Sequence, residues 1–534
     1  MIWKRLGWPA LTRGAAVAAV AAGLFTAYLE QSARGTYVNA DGASNALQAW
    51  DMLHGNLLLH GWALADVSFY TTDLPQYMVV EAIRGLGPDV VHICAALAYT
   101  VLVLLAAWLA KGRARGREGA TRALIAAGIM LAPQLGGGGT GILLLSPDHV
   151  ATAIPLMLAW LMIDRRNGWP VPVSVGLLLT WAVVGDPLAA VIGALPLAAV
   201  CALRVVLRRG MIDDNSKKRE ARGRGRGIIW YHVSLLTAAM VSVPAAWGAT
   251  KLIAASGGWT QTAVQTGLAG SGVLGQHAAL TGTGILQLFG ADFRGQPTGV
   301  LTAFAFVHLI GVALVAWGFL LAVRHFFAAD LLVQVLTTAI VVNLAAYMFS
   351  VQAQDITRTR EIAAVLPFGA VLAGRLVACN LRAPRLTPLL IGVLAAYAGM
   401  LAFDAVQPPV PAPTADLAAW LARHDLTRGL AGYWQANSVT LYSRGQVQVR
   451  AIGLNSSGQL TGRSWWQAKQ AWYDPATQDA SFVISVPPPA RWQDQAVIQE
   501  MEAQAGRPAQ VYQVGAYSVA VWNVNLLARL GPVG

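Results

Sequence analysis

The stretch DVVHICAALAYTVLVLLAAWLAKGRARGREGATR, residues 89–122, decides the fold class. It stays apolar for about 20 residues, enough to cross the hydrocarbon core as a helix. It then turns basic, with Lys111, Arg113, Arg115, Arg117 and Arg122 in quick succession. Short basic loops remain on the cytoplasmic side of a membrane, so this junction marks both a span and its direction. The pattern repeats on either side. Lys4, Arg5 and Arg13 precede an apolar run at 14–30. Arg165 with Arg166, the loop from Arg204 to Arg226, Arg324 with His325, and Arg382 with Arg385 then fall in every second later gap.

Counting apolar runs in this way predicts eleven spans, near 14–30, 90–110, 122–135, 149–163, 170–185, 188–206, 228–250, 299–323, 329–350, 361–380 and 386–404. The chain therefore reads as an α-helical polytopic membrane protein with its N-terminus in the cytoplasm. An odd number of spans puts the C-terminal region outside. Two domains are expected: residues 1–404, a transmembrane domain with an external loop at 31–89, and residues 405–534, a small α/β extracytoplasmic domain.

Composition agrees. A chain of 534 residues that is 56% hydrophobic and 12% charged, with mean hydropathy +0.51, is too apolar for a soluble protein of this size. The formal charge of +12 is spread over loops as a topological signal, which argues against a nucleic-acid partner and for the lipid bilayer. Cys94, Cys201 and Cys379 lie inside apolar segments, so neither a disulfide framework nor a zinc cluster is expected. The preference for Arg over Lys, with abundant Ala and Gly, fits a GC-rich bacterial genome and hence the bacterial plasma membrane.

The external stretches carry the chemistry. Residues 31–89 hold six acids (Asp41, Asp51, Asp66, Asp73, Glu81 and Asp89) against Arg34 and Arg84. Ala46, Leu47, Trp50 and Leu53 recur at helical spacing, as in a helix lying in the interface. Asp41 just ahead of it is placed to cap that helix, or to act as a base. The glycines of GGGGTGILLLSPDHV, residues 136–150, are not followed by Gly-Lys-Ser/Thr, so they read as a turn or as close helix packing rather than a phosphate loop. Residues 251–298, rich in Gly, Thr and Gln, read as a loop over a site or a re-entrant segment.

QPPVPAPT, residues 407–414, is a stiff spacer. Beyond it DLAAWLARHDLTRG reads as a helix with Asp416 near its start and Gly429 as its stop. VQVRAI and ASFVISV read as strands, RWQDQAVIQEMEAQAG as a helix and AQVYQVGAYSVAVW as a closing strand or hairpin. Trp420, Tyr433, Trp434, Trp465, Trp466, Trp472 and Trp492 suit a glycan-binding surface, an interface belt or a small core.

Three groups of residues also carry a resemblance. Asp41 follows soon after the first span; Trp50-Asp51-Met52-Leu53-His54-Gly55 ends an interfacial helix; a Pro-containing helix closes on Leu86-Gly87. Ser146-Pro147-Asp148-His149 opens the fourth span, and the stretch from Gln354 to Glu361 opens the tenth. Together these resemble the GT-C superfamily of polyprenyl-phosphate-dependent membrane glycosyltransferases, closest to the family 39 or protein mannosyltransferase-like branch. The resemblance covers roughly residues 10–400 as architecture. Gly42 stands where that family commonly has a second acid, and Asp73-Leu74-Pro75 replaces its usual Pro-Pro.

The resemblance implies an inverting transfer of a sugar, a hexose or pentose, from a polyprenyl-phosphate donor to a glycan, lipid or protein acceptor of the cell envelope. Asp41 is then the catalytic base. Arg358 and Arg360 hold the donor phosphate, or else anchor at the interface paired with Glu361. Asp148 and His149 bind substrate, and a divalent cation shared with Asp41 is one further use of those residue types. Asp186, in Gly185-Asp186-Pro187, reads as a turn residue. The rival readings are a transporter or flippase for a lipid-linked sugar, and a non-catalytic scaffold with an external glycan-binding domain.

Overall fold

Apolar runs become long helices wherever nothing interrupts them. In the computed structural model seven are long and apolar enough to cross a membrane: Gly14–Gly35, Asp89–Lys111, Ala190–Leu207, Gly227–Ala255, Val300–Arg324, Leu331–Phe349 and Pro388–Ala405. The structure describes residues 8–135, 138–145, 149–166, 168–214, 219–264, 266–296, 298–378, 387–455, 457–464, 466–486 and 492–531. The chain is a multi-pass membrane protein.

The other four expected spans fold as shorter helices: Gly116–Met130 of 15 residues, Ala153–Arg165 of 13, Pro170–Gly185 of 16 and Val365–Val377 of 13. At 1.5 Å per residue, helices of this length cover about 20–24 Å, less than the roughly 30 Å of a hydrocarbon core. Eleven full-length spans are therefore not reached among the described residues. The run at 170–185 is helical throughout but only 16 residues long, whereas part of each of the other three runs is irregular backbone. Such backbone is tolerated at depth only where protein covers it. The helix Val365–Val377 is buried along almost its whole length.

The chain divides into two compact units, one built from residues 1–36, 95–248 and 265–408, the other from 37–94, 249–264 and 409–534. The first is a helical bundle around a core that includes Tyr28, Tyr99, Trp160 and Phe368. Helices approach closely at small residues, as membrane helices do. A Cβ on Gly318 would lie 2.8 Å from the Ala373 backbone. Gly138–Leu143 forms a short helix, and a Cβ on Gly139 would come within 2.7 Å of the Gln134 nitrogen. Those glycines serve packing. The segment expected to be a loop at 251–298 also contains a helix, Leu274–Leu288.

In the second unit the strands are β1 (Trp62–Leu64), β2 (Thr260–Gln261), β3 (Arg428–Ala431), β4 (Gln448–Leu454), β5 (Leu460–Gly462), β6 (Ala468–Lys469), β7 (Phe482–Ser485), β8 (Gln510–Val514) and β9 (Tyr517–Val521). A mixed sheet has the order β5-β4-β3-β7-β9-β8. β3 pairs in parallel with β4 and β7, while β8 and β9 form an antiparallel hairpin. Apolar residues alternate along β4 and β9, whereas the continuous apolar run of β7 is buried on both faces, Phe482 and Ile484 in one cluster and Val483 in another. Gly429 lies inside β3 and is not a helix stop: the preceding helix runs Pro413–Arg423 and is capped by His424. A helix Tyr433–Tyr442 then links β3 to β4, as a parallel pair requires a crossover. A smaller sheet, β2-β1-β6, joins three segments far apart in sequence.

Candidate functional site

Asp41 belongs to the helix Ala40–Leu53, which is buried on most sides within the second unit rather than lying with one wet face in an interface. The cap of this helix is Asn39, whose side chain accepts from the Gly42 N–H at 2.9 Å. Asn39 has extended backbone, as an N-cap requires, whereas Asp41 is already in the first turn. Capping, one of the two uses foreseen for Asp41, therefore falls to Asn39.

The Asp41 carboxylate instead accepts a hydrogen bond from the Tyr433 hydroxyl. Tyr433 starts the helix Tyr433–Tyr442, and the Arg463 guanidinium lies over its ring, 4.8 Å from the centroid. Burial, reinforced by the negative charge of Asp41, pushes the Tyr433 phenol well above its ordinary value. Tyr433 thus remains an O–H donor, able to orient one oxygen of Asp41 while the ring shields it from water.

Asp41 heads a polar face that the sequence reading missed. Ser44, Asn45 and Gln48 follow it at helical spacing, and all three are buried. Asn437 donates to Ser44 Oγ at 2.7 Å and to the Gln467 carbonyl at 3.1 Å, and Gln48 donates to Gln467 Oε1 at 2.8 Å. Asn45 Nδ2 and Asn437 Oδ1 have no protein partner. The signal was present as a polar period at 41, 44, 45 and 48, opposite the apolar period that revealed the helix.

His149, Arg358, Arg360 and Glu361 come together in the first unit. Glu361 ends a 3-10 helix, Ile356–Ile362, capped by Asp355, and Arg358 Nη1 stands 3.7 Å from Glu361 Oε1. Glu361 Oε2 lies 3.2 Å from His149 Nε2, and His149 Nδ1 lies 2.6 Å from Asp186 Oδ2. Thr152 donates to the same Asp186 oxygen at 2.6 Å, and the Leu188 N–H donates to the other at 2.9 Å. Asp186 is thus more than a turn residue. Asp148 lies outside the described residues, as do Cys379 and Trp465.

Carboxylates only accept hydrogen bonds, so a ring held between two of them donates from both nitrogens and is an imidazolium. Burial alone would lower the His149 value, but Asp186 and Glu361 raise it well above the ordinary range. Burial likewise opposes ionisation of Glu361, and His149, Arg360 and Arg358 outweigh it, holding the carboxyl down at about 2. Arg358, Arg360 and the imidazolium are set against the carboxylates of Asp186 and Glu361, with Asp355 beside Arg358 as a third. Among the described residues no group of three or more His, Cys, Asp or Glu side chains is arranged to hold a metal ion.

The chain is similar in structure to ArnT from Cupriavidus metallidurans in the apo state, over 98% of this chain and 100% of that one, with TM-score 0.55 and 14% identity. It is similar to ArnT from the same organism bound to undecaprenyl phosphate over 99% and 100%, with TM-score 0.54 and 13% identity. The fold is GT-C. No family model and no curated protein sequence matches the chain. At these identities the likeness is one of fold.

On this GT-C fold several aromatics of the C-terminal region are engaged with neighbours. Trp420 stacks on His424 with centroids 4.0 Å apart, and Trp472 lies under the Arg450 guanidinium at 3.9 Å and against Trp62 at 4.9 Å. Trp434 is nearly half exposed and packs edge-on against Tyr433, with centroids 5.2 Å apart.

Proposed function

We propose that this protein transfers a sugar from a polyprenyl-phosphate donor to a cell-envelope acceptor at the outer face of the plasma membrane. Asp41 takes the proton of the acceptor hydroxyl. That oxygen attacks the anomeric carbon, the bond from this carbon to the phosphate oxygen breaks, and polyprenyl phosphate leaves with the bonding electrons. A single displacement of this kind inverts the anomeric centre. Arg358 and Arg360 hold the phosphate, which arginine suits by presenting two parallel donors. His149 and Glu361 position that arginine pair.

The observation that carries this reading is the state of Asp41: a carboxylate in a first helical turn, relieved of capping by Asn39 and oriented by the Tyr433 hydroxyl. The GT-C fold, seen in a neighbour bound to undecaprenyl phosphate, supports the class of donor. The two guanidinium groups brought together at Arg358 and Arg360 support an anionic ligand there, since arginine suits phosphate oxygens.

The test is transfer from a synthetic polyprenyl-phosphate sugar by the purified protein and its Asp41→Asn variant. Loss of a general base typically costs 10²–10⁴-fold. Product formation is therefore expected to fall by at least about a hundredfold with thermal stability retained. Undiminished transfer by the variant removes Asp41 from this role. The buried His149–Asp186–Glu361 chain is also the kind of ionisable relay a carrier uses. Movement of labelled lipid-linked sugar across proteoliposomes with no covalent product would favour that second reading.

A further inference from the structure

The helical unit holds a cavity of about 770 Å³ that the proposed transfer does not use. Its lining includes Arg113, Asp164, Trp169, Arg204, Trp230 and Asp330. The cavity therefore sits among basic loops, at the opposite ends of the helices from acidic segments such as 31–89 in the sequence pattern.

Its charges do not cancel. Asp164 and Asp330 are both held by the buried Arg375, at 2.7 and 3.2 Å, and Asp330 also caps the helix Leu331–Phe349. Arg204 is fixed by the Gln334 side chain and the Ala329 carbonyl, so its charge is locked in the wall. Arg113 is exposed and donates only its Nε to the Asp164 carbonyl, at 3.1 Å. Its two terminal amino groups have no partner among the described residues. A fork of that geometry matches a phosphate.

The remaining wall is apolar and aromatic. Trp169 is 80% and Trp230 68% exposed, and Ile228, Leu331 and Leu332 are among the other lining residues, beside His232 and Ser234. Tryptophan settles at headgroup level, one end apolar and the other wet. In sequence, residues 208–226, between the lining residues Arg204 and Gly227, carry eight Lys or Arg against three acids. Such polybasic segments beside a span attract anionic lipid.

We infer that this cavity binds one anionic glycerophospholipid, its phosphate on Arg113 and its upper chains against Trp169 and Trp230. The apolar wall selects a lipid over free phosphate, and the charge selects an anionic headgroup over a zwitterionic one. The inference stands apart from the transfer reading, and either can fail without the other.

Native mass spectrometry of the full chain in detergent, with phosphatidylglycerol or phosphatidylcholine of matched chains, tests it. One phosphatidylglycerol is expected to be retained in preference to phosphatidylcholine, and excess inorganic phosphate should not displace it. Arg113→Gln should lower retention roughly fivefold, the effect of one basic residue near a lipid surface. Trp230→Ala should lower it as well, while Arg117→Gln, the same charge change four residues on, in the helix Gly116–Met130 and outside the lining, should not. Equal retention of the two lipids, equal loss in R113Q and R117Q, full retention in both R113Q and W230A, or displacement by phosphate would each overturn it.

Discussion

Asp41 and Glu81 both belong to the acidic segment 31–89, and their surroundings push them to opposite uses. Asp41 receives an O–H from a phenol that cannot easily ionise, so its charge is stabilised without being neutralised. Tyr433→Phe removes that one donor and keeps the ring under Arg463. Hydrogen bonds to charged groups are worth about 1.5–3 kcal/mol, so transfer should fall roughly ten- to a hundredfold with little change in thermal midpoint. An unchanged rate in Tyr433→Phe would show that the phenol plays no part in positioning the base. Glu81 is 1% exposed and neither oxygen has a hydrogen-bond partner among the described residues. Burial pushes its carboxyl up to about 9, so it is neutral at pH 7. The unfolded chain releases this proton near the ordinary glutamate value while the folded chain keeps it. Stability is therefore greatest below that value and declines as pH rises toward about 9. Glu81→Gln should abolish this decline and raise the thermal midpoint at pH 8. Parallel midpoint-against-pH curves for the two proteins would contradict it.

At the scale of elements, what was legible depended on whether the signal was local. The hairpin β8–β9 and the helix Trp492–Ala505 follow from alternation and helical spacing within a few residues, and both were readable. Gly429 was misread because a glycine after a helical pattern resembles a stop, yet the space at that position is set by Phe482 on the neighbouring strand, 53 residues away. The cap of Ala40–Leu53 was misassigned by two positions, since Asn39 and Asp41 are both good caps and only backbone geometry separates them. That correction predicts that Asn39→Ala lowers stability by about 1 kcal/mol while Asn39→Asp is nearly neutral. Chemical denaturation of the two variants checks the assignment, and equal stability of Asn39→Ala and the parent would return the cap to Asp41. Within the site, His149, Arg358, Arg360 and Glu361 were all visible as charged residues at the edges of apolar runs. Asp186 was read only as a turn residue because its partner His149 is 37 residues away.

For the whole molecule, the sequence pattern proposes a direction as well as a fold: basic loops in the cytoplasm, and the sheet of residues 428–521 outside. Hydropathy reads topology well because a bilayer charges heavily for exposed backbone, and it reads helix length poorly because a covered break in a helix leaves no mark on an apolar run. The proposed direction is open to chemical labelling. Cys94 and Cys201 are buried and contribute little background, and with Cys379 replaced by Ser a single introduced thiol reports its own side. Asp474, exposed in the turn before β7, and Arg117, exposed in the first turn of the helix Gly116–Met130, are suitable positions. Asp474→Cys is expected to react with a membrane-impermeant maleimide in intact cells, and Arg117→Cys only after permeabilisation. The reverse pattern would put the sheet in the cytoplasm, and with it Asp41, which shares a compact unit and a hydrogen bond with Tyr433. Transfer at the outer face would then be untenable, because base and acceptor would stand on opposite sides of the membrane.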